Sequence, residues 1–92
     1  MKRIRKVFEQ DEHGDWKVIN NSLQKEFKFN SFLEALGFVN GIAHLCEEVD
    51  HHPDVEWNFT RVTLKLKTYD VDRITDKDYD LAKRIDDLEI LD

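Results

Sequence analysis

Two adjacent histidines, His51 and His52, stand between an acidic run and a proline in EEVDHHPDVEW, Glu47 to Trp57. Imidazole exchanges protons near neutral pH, so a fixed pair of rings suits acid–base work. Apolar spacing puts a helix ahead of the doublet, Pro53 stops it, and a strand pattern follows. Proline also drives the residue before it into extended backbone. His52 is therefore expected to leave the helix while His51 caps it, and the two side chains diverge. One ring can then act as acid and the other as base or orienter. Glu47 lies one helical turn ahead of His51, with Glu48 and Asp50 close by. Those acids and the unsatisfied carbonyls of a helix end favour positive charge there. A protonated ring in that place suits a reaction that expels hydroxide as water.

Two other readings of the doublet stay open. One ring caps helix carbonyls while the other is simply exposed. Alternatively, Glu47 and His51, spaced i and i+4, share a metal ion with His52. Against the metal, the remaining histidines, His13 and His44, are scattered along the chain.

The elements that must hold these residues are readable from Trp16 onward. WKVI reads as a short strand, Asn20-Asn21 as a tight turn, and LQKEFKF as a second strand with Leu23, Phe27 and Phe29 on one face. Ser31 followed by Glu34 is a capping-box start. Phe32, Leu36, Val39, Ala43 and Cys46 then form one apolar stripe through about Val49. Cys46, the single cysteine, sits on that stripe as a small buried hydrophobe rather than a nucleophile. Val55, Trp57 and Phe59 alternate beyond the proline. In RVTLKLKT, Val62, Leu64 and Leu66 face inward against Arg61, Thr63, Lys65 and Lys67. A last helix starts at Thr75 with Asp78 completing a second capping box and Ile74 and Tyr79 placed as a staple. Leu81, Ala82, Ile85 and Leu88 make its buried face. The expected class is α+β, a four-stranded antiparallel sheet with helices on one face in the order β-β-α-β-β-α. Residues 1 to 14 fit either a short helix or an edge strand.

Bulk properties narrow the function. Ninety-two residues, 40% hydrophobic and 11% aromatic, suit one ordered domain over 1–92. No apolar run approaches the roughly 20 residues that span a bilayer. The basic N-terminus has no apolar stretch behind it, so the expected setting is cytoplasmic. A net charge of −6 with dispersed lysines argues against direct nucleic-acid binding.

Glu47, His51-His52-Pro53, Phe59, RVTLKLKT, TDKD and the segment KEFKFNSFLEALGFVNGIA together resemble the pterin-4a-carbinolamine dehydratases, over roughly Trp16 to Leu88. The resemblance implies a four-stranded antiparallel sheet with helices on one side, and an enzyme needing no metal or added cofactor. It implies dehydration of a 4a-hydroxy-tetrahydropterin to quinonoid dihydropterin, recycling the cofactor of aromatic amino acid hydroxylases. His51 and His52 would be the acid–base pair and Glu47 would hydrogen-bond the pterin. Pro53 would shape the pocket wall, and Lys67 and Thr68 would border the site. Lys77 and Asp78 match the family's basic–acidic pair at the start of the last helix, although Asp78 also reads as a plain cap. Family members assemble as dimers or tetramers, and four strands in so small a domain leave sheet edges free to do so.

Two positions depart from the pattern. Tyr69 stands where the family usually has a third histidine, and Arg73 where glycine is common. Tyrosine can stack on a heterocycle and donate a hydrogen bond, but it is a poor proton shuttle at neutrality. Strand parity puts Tyr69 on the outward face with Lys65 and Lys67, so the expected site is a rim cleft. Three functions follow: a carbinolamine dehydratase with turnover altered by Tyr69; a non-catalytic binder of a pterin or protein; or a dehydratase retuned to another substrate.

Overall fold

A computed structural model describes residues 4–5, 16–88 and 90–91 of the chain. Most of the ambiguous segment 1–14 lies outside the described residues; within it, only Ile4–Arg5 is described, as a short strand (β1). Lys17–Ile19 (β2) and Ser22–Lys28 (β3) form a hairpin through Asn20 and Asn21, both at positive φ, 50° and 67°. Such a two-residue turn matches strand twist, and asparagine tolerates it better than most residues. The helix α1 covers Phe32–Val49. Ser31 caps it by accepting from the Glu34 N–H, while the Glu34 carboxylate reaches back to the Asn30 N–H.

Asp54–Asn58 (β4) and Arg61–Leu66 (β5) form a second hairpin. The helix α2, Asp76–Asp86, begins with a complete Thr75/Asp78 capping box. Ile90–Leu91 (β6) pairs antiparallel with β1. The main sheet has the order β2-β3-β5-β4, all antiparallel, so the fold is α+β with both helices over one face.

The inward rows are Leu23 and Phe27 on β3 and Val62, Leu64 and Leu66 on β5, as alternation predicts. Against them pack Ala35, Phe38, Ile42 and Cys46 of α1 and Leu81, Ala82 and Ile85 of α2. Here the structure corrects the expected α1 stripe. Phe32, Leu36 and Ala43 are exposed; only Val39 and Cys46 belong to both stripes. The helix is apolar on more than one side, and Phe27 and Phe29 decide which side goes in. Their rings lie 4.7 and 5.0 Å from that of Phe38. Cys46 is buried, and burial first, then the charge of Glu47, pushes its thiol up to about 11. It is no nucleophile at neutral pH.

Phe59 is a second correction. It does not continue β4 but occupies the β4–β5 turn at φ 52°, 73% exposed. Its carbonyl accepts from Trp57 Nε1, and the rings of Trp57 and Phe59 stack against Phe32. Lys25 was unexpected inside. It points inward from β3 and pairs with Asp86 at 2.8 Å, where Trp16 Nε1 also donates, tying the end of α2 to the sheet. A buried lysine is tolerable only when paired in this way.

Candidate active site

Three pieces of chain meet beyond the end of α1: the connection to β4, the loop after β5, and the first turn of α2. The helix ends at Asp50, left-handed at φ 55°, with its N–H and that of His51 both directed to the Cys46 carbonyl. The cap is thus Asp50, not His51 as expected. An aspartate tolerates this backbone, and the bend turns the histidines off the helix axis. On the other side, Thr68 and Arg73 bridge backbone to backbone and close a tight loop that presents Tyr69.

The histidines point to different carboxylates. His51 Nε2 lies 2.6 Å from Asp78 Oδ1, and His52 Nε2 lies 2.7 Å from Glu47 Oε2. Asp78 is wholly buried, whereas the Glu47 side chain is 77% exposed. Asp78 Oδ2 also accepts from the Thr75 N–H at 2.9 Å and from the Thr68 hydroxyl at 2.8 Å. Because Thr68 gives its one proton to Asp78, the Thr75 hydroxyl must donate to Thr68 across 2.6 Å. Burial pushes the Asp78 carboxyl up, but hydrogen bonds from His51, Thr75 and Thr68, with the charge of His51, outweigh it and leave it below its usual range. An ionised Asp78 has no proton to give, so His51 Nε2 must be the donor. Its Nδ1 is left for other chemistry. Capping and holding His51 are therefore one job, performed by the two oxygens of one carboxylate.

A cavity of about 450 Å³ opens at this junction. Its walls include His51, His52, Pro53, Lys67, Thr68, Tyr69 and Lys77, and also Asp50, Asp54 and Asp70. Of the residues singled out from sequence, Glu47 and Asp78 do not line it; each holds one of the two histidines instead. Trp57, another aromatic near the doublet, is stacked on Phe32 and is not part of this wall. Tyr69 is 60% exposed at the rim, consistent with its strand parity. Its hydroxyl donates to Asp54 Oδ2 at 2.5 Å, while Lys67 sits 4.8 Å over its ring and pairs with Asp72 at 2.9 Å. The bond to Asp54 raises the Tyr69 phenol above its usual range, and the bond to Asp72 does the same for the Lys67 ammonium. Tyr69 therefore stays protonated at neutral pH and is no base. Asp54 was not anticipated; its place just after His52-Pro53 was the available signal. Among the described residues, no group of three His, Cys, Asp or Glu is arranged to hold a metal ion.

A cavity of this size can take a small-molecule ligand. The family model described as pterin 4 alpha carbinolamine dehydratase matches residues 1–88. The chain belongs to that family. A relative from Picosynechococcus sp., named "Putative pterin-4-alpha-carbinolamine dehydratase", is 43% identical over 74 residues, 80% of each chain. Among solved structures, the transcriptional coactivator/pterin dehydratase from Brucella melitensis superposes with a TM-score of 0.75 at 28% identity, covering 78% of this chain and 79% of that one. A pterin dehydratase-like protein described as a RuBisCO assembly factor in the alpha-carboxysome gives 0.66 at 25% identity, covering 78% and 86%. Within the pterin dehydratase family, then, this chain combines a histidine doublet with tyrosine at the rim. Among the described residues no helix is long and apolar enough to cross a membrane.

Proposed function

We propose that this protein is a hydro-lyase converting 4a-hydroxy-tetrahydropterin to quinonoid dihydropterin. The observation that carries the reading is the pairing of His51 with the buried, ionised Asp78 on the wall of a cavity that also presents His52. In this reaction the C4a–O bond breaks, N5 loses its proton, and a C4a=N5 double bond forms as water leaves. The ring that takes the N5 proton gains positive charge, which Asp78 stabilises; His51 is that base, through Nδ1. His52, half exposed and held by Glu47, delivers a proton to the departing hydroxyl and recovers it from solvent. Tyr69 and Pro53 flank the heterocycle, Lys67 and Thr68 border it, and Lys77 closes the α2 side.

The test is optical detection of quinonoid product from enzymatically generated carbinolamine, with wild type, Tyr69→His and His52→Ala. We expect turnover by wild type, a gain for Tyr69→His and a loss of about 10²-fold or more for His52→Ala. A second reading rests on Tyr69, whose proton is held more tightly by Asp54 where the family usually has histidine. In it the chain binds a pterin or a protein without turnover, a reading invited by the structural relative described as a RuBisCO assembly factor. Pterin binding with no turnover by any variant selects that reading.

Self-association belongs to the same proposal. Among the described residues β4 is an edge strand, paired only with β5. Beside it lie the exposed Val55, Phe32 and Phe59 and the half-buried Trp57. An unpaired edge next to apolar surface is a pairing site, and a second copy fits by adding its own β4 antiparallel. Light scattering should give a multiple of the monomer mass, reduced towards one chain by Val55→Lys. A monomeric wild type sinks this part.

A further inference from the structure

A second cavity, about 250 Å³, has His51 in its wall. Val49 and Leu81 give it apolar walls; Lys77, Arg84 and Asp80 supply its charge. His51 and Lys77 line both cavities, so the two meet at the proposed base. Two features of its cations stand out in a chain of net charge −6. The Lys77 ammonium has no hydrogen-bond or ion-pair partner among the described residues. Arg84 has one partner, Glu48, at 3.9 Å, with both side chains more than half exposed. Such a long exposed pair holds its members weakly. Asp80 is the one carboxylate in the lining, so the cations exceed it by one before His51 is counted.

We infer that this second compartment receives an anionic substituent of the substrate, held by Lys77 and Arg84, while the pterin ring sits against His51 and His52. The inference rests on the proposed function, because the ring must occupy the larger cavity for its substituent to pass His51. The geometry orders the ligand: ring on the Tyr69 side, short linker across His51, anion between the two cations. Guanidinium recognises phosphate or carboxylate through paired N–H donors, and an adjacent ammonium adds a point charge. Val49 and Leu81 suit the carbon linker between them. This chain would thus discriminate among pterins by the charge of the tail, at residues outside the histidine doublet.

The experiment measures binding by fluorescence quenching with three probes: 7,8-dihydroneopterin, which has a neutral side chain, its monophosphate, and a dihydropterin carrying a carboxylate on a chain of equal length. At low salt an anionic probe should bind about tenfold tighter than the neutral one, with the advantage shrinking as salt rises. Arg84→Gln should erase most of that advantage and leave the neutral probe unchanged. Whichever anion gains more identifies the substituent as phosphate or carboxylate. Equal affinity for all three probes overturns the inference. So does an advantage that survives Arg84→Gln combined with Lys77→Gln. Binding of the neutral probe alone removes the inference and leaves the dehydratase reading standing, whereas binding of none removes both.

Discussion

His51→Gln should lower the turnover of carbinolamine by about 10²- to 10⁴-fold, the usual worth of a positioned acid or base. Glutamine is chosen because its amide N–H can still donate to Asp78, which alanine would leave buried and unpaired. The variant therefore keeps the hydrogen bond and discards the proton-transfer group. Loss should appear in kcat, with circular dichroism unchanged and pterin affinity altered by less than tenfold. If His51→Gln retains a third or more of wild-type kcat, His51 is not the base.

Asp78→Asn should cost both stability and rate, for one reason. The Thr75 N–H can only donate, so the asparagine oxygen must face it; the amide NH2 then faces His51. Two donors cannot meet, so the ring must accept at Nε2 and carry its proton on Nδ1, the wrong form for a base. We expect a fall of at least about 10²-fold in kcat and a loss of about 1–3 kcal/mol in unfolding free energy, as when buried hydrogen bonds lose their charged acceptor. The pH dependence separates this from a generic packing defect. Asp78 titrates lower folded than unfolded, so its contribution is complete above its ordinary value of 3.8 and fades as pH falls through the depressed folded value. Chemical denaturation of wild type from pH 6 down to pH 2 should show that fading. The Asn variant, starting lower, should show a shallower decline there. Parallel curves for the two proteins would mean that Asp78 carries no such charge.

The parts of this site that were legible in the sequence are those set by neighbours in the chain. The period of two in Arg61–Lys67 marks β5 because one face is buried and the other wet. Thr75 and Asp78 mark the start of α2 because a cap needs only three-residue spacing. The doublet itself stood out through Pro53 and Glu47. What was not legible depends on distant partners. The α1 stripe shares Val39 and Cys46 between two possible faces, and only the rings of Phe27 and Phe29, on another element, choose Phe38 over Phe32 and Leu36. Likewise His51 and Asp78 are 27 residues apart, and Tyr69 meets Asp54 across 15. The resemblance marked Asp78 as a site residue, but its hold on His51 depends on a partner that local spacing cannot reveal.

That double duty ties chemistry to folding order. The oxygen that winds the opening turn of α2 shares a carbon with the one that aims the imidazole of His51. Until that turn has formed, the ring has no fixed tautomer and no fixed direction. If His51 is the base proposed above, activity arrives with the docking of α2, and on heating it should depart when that helix lifts off.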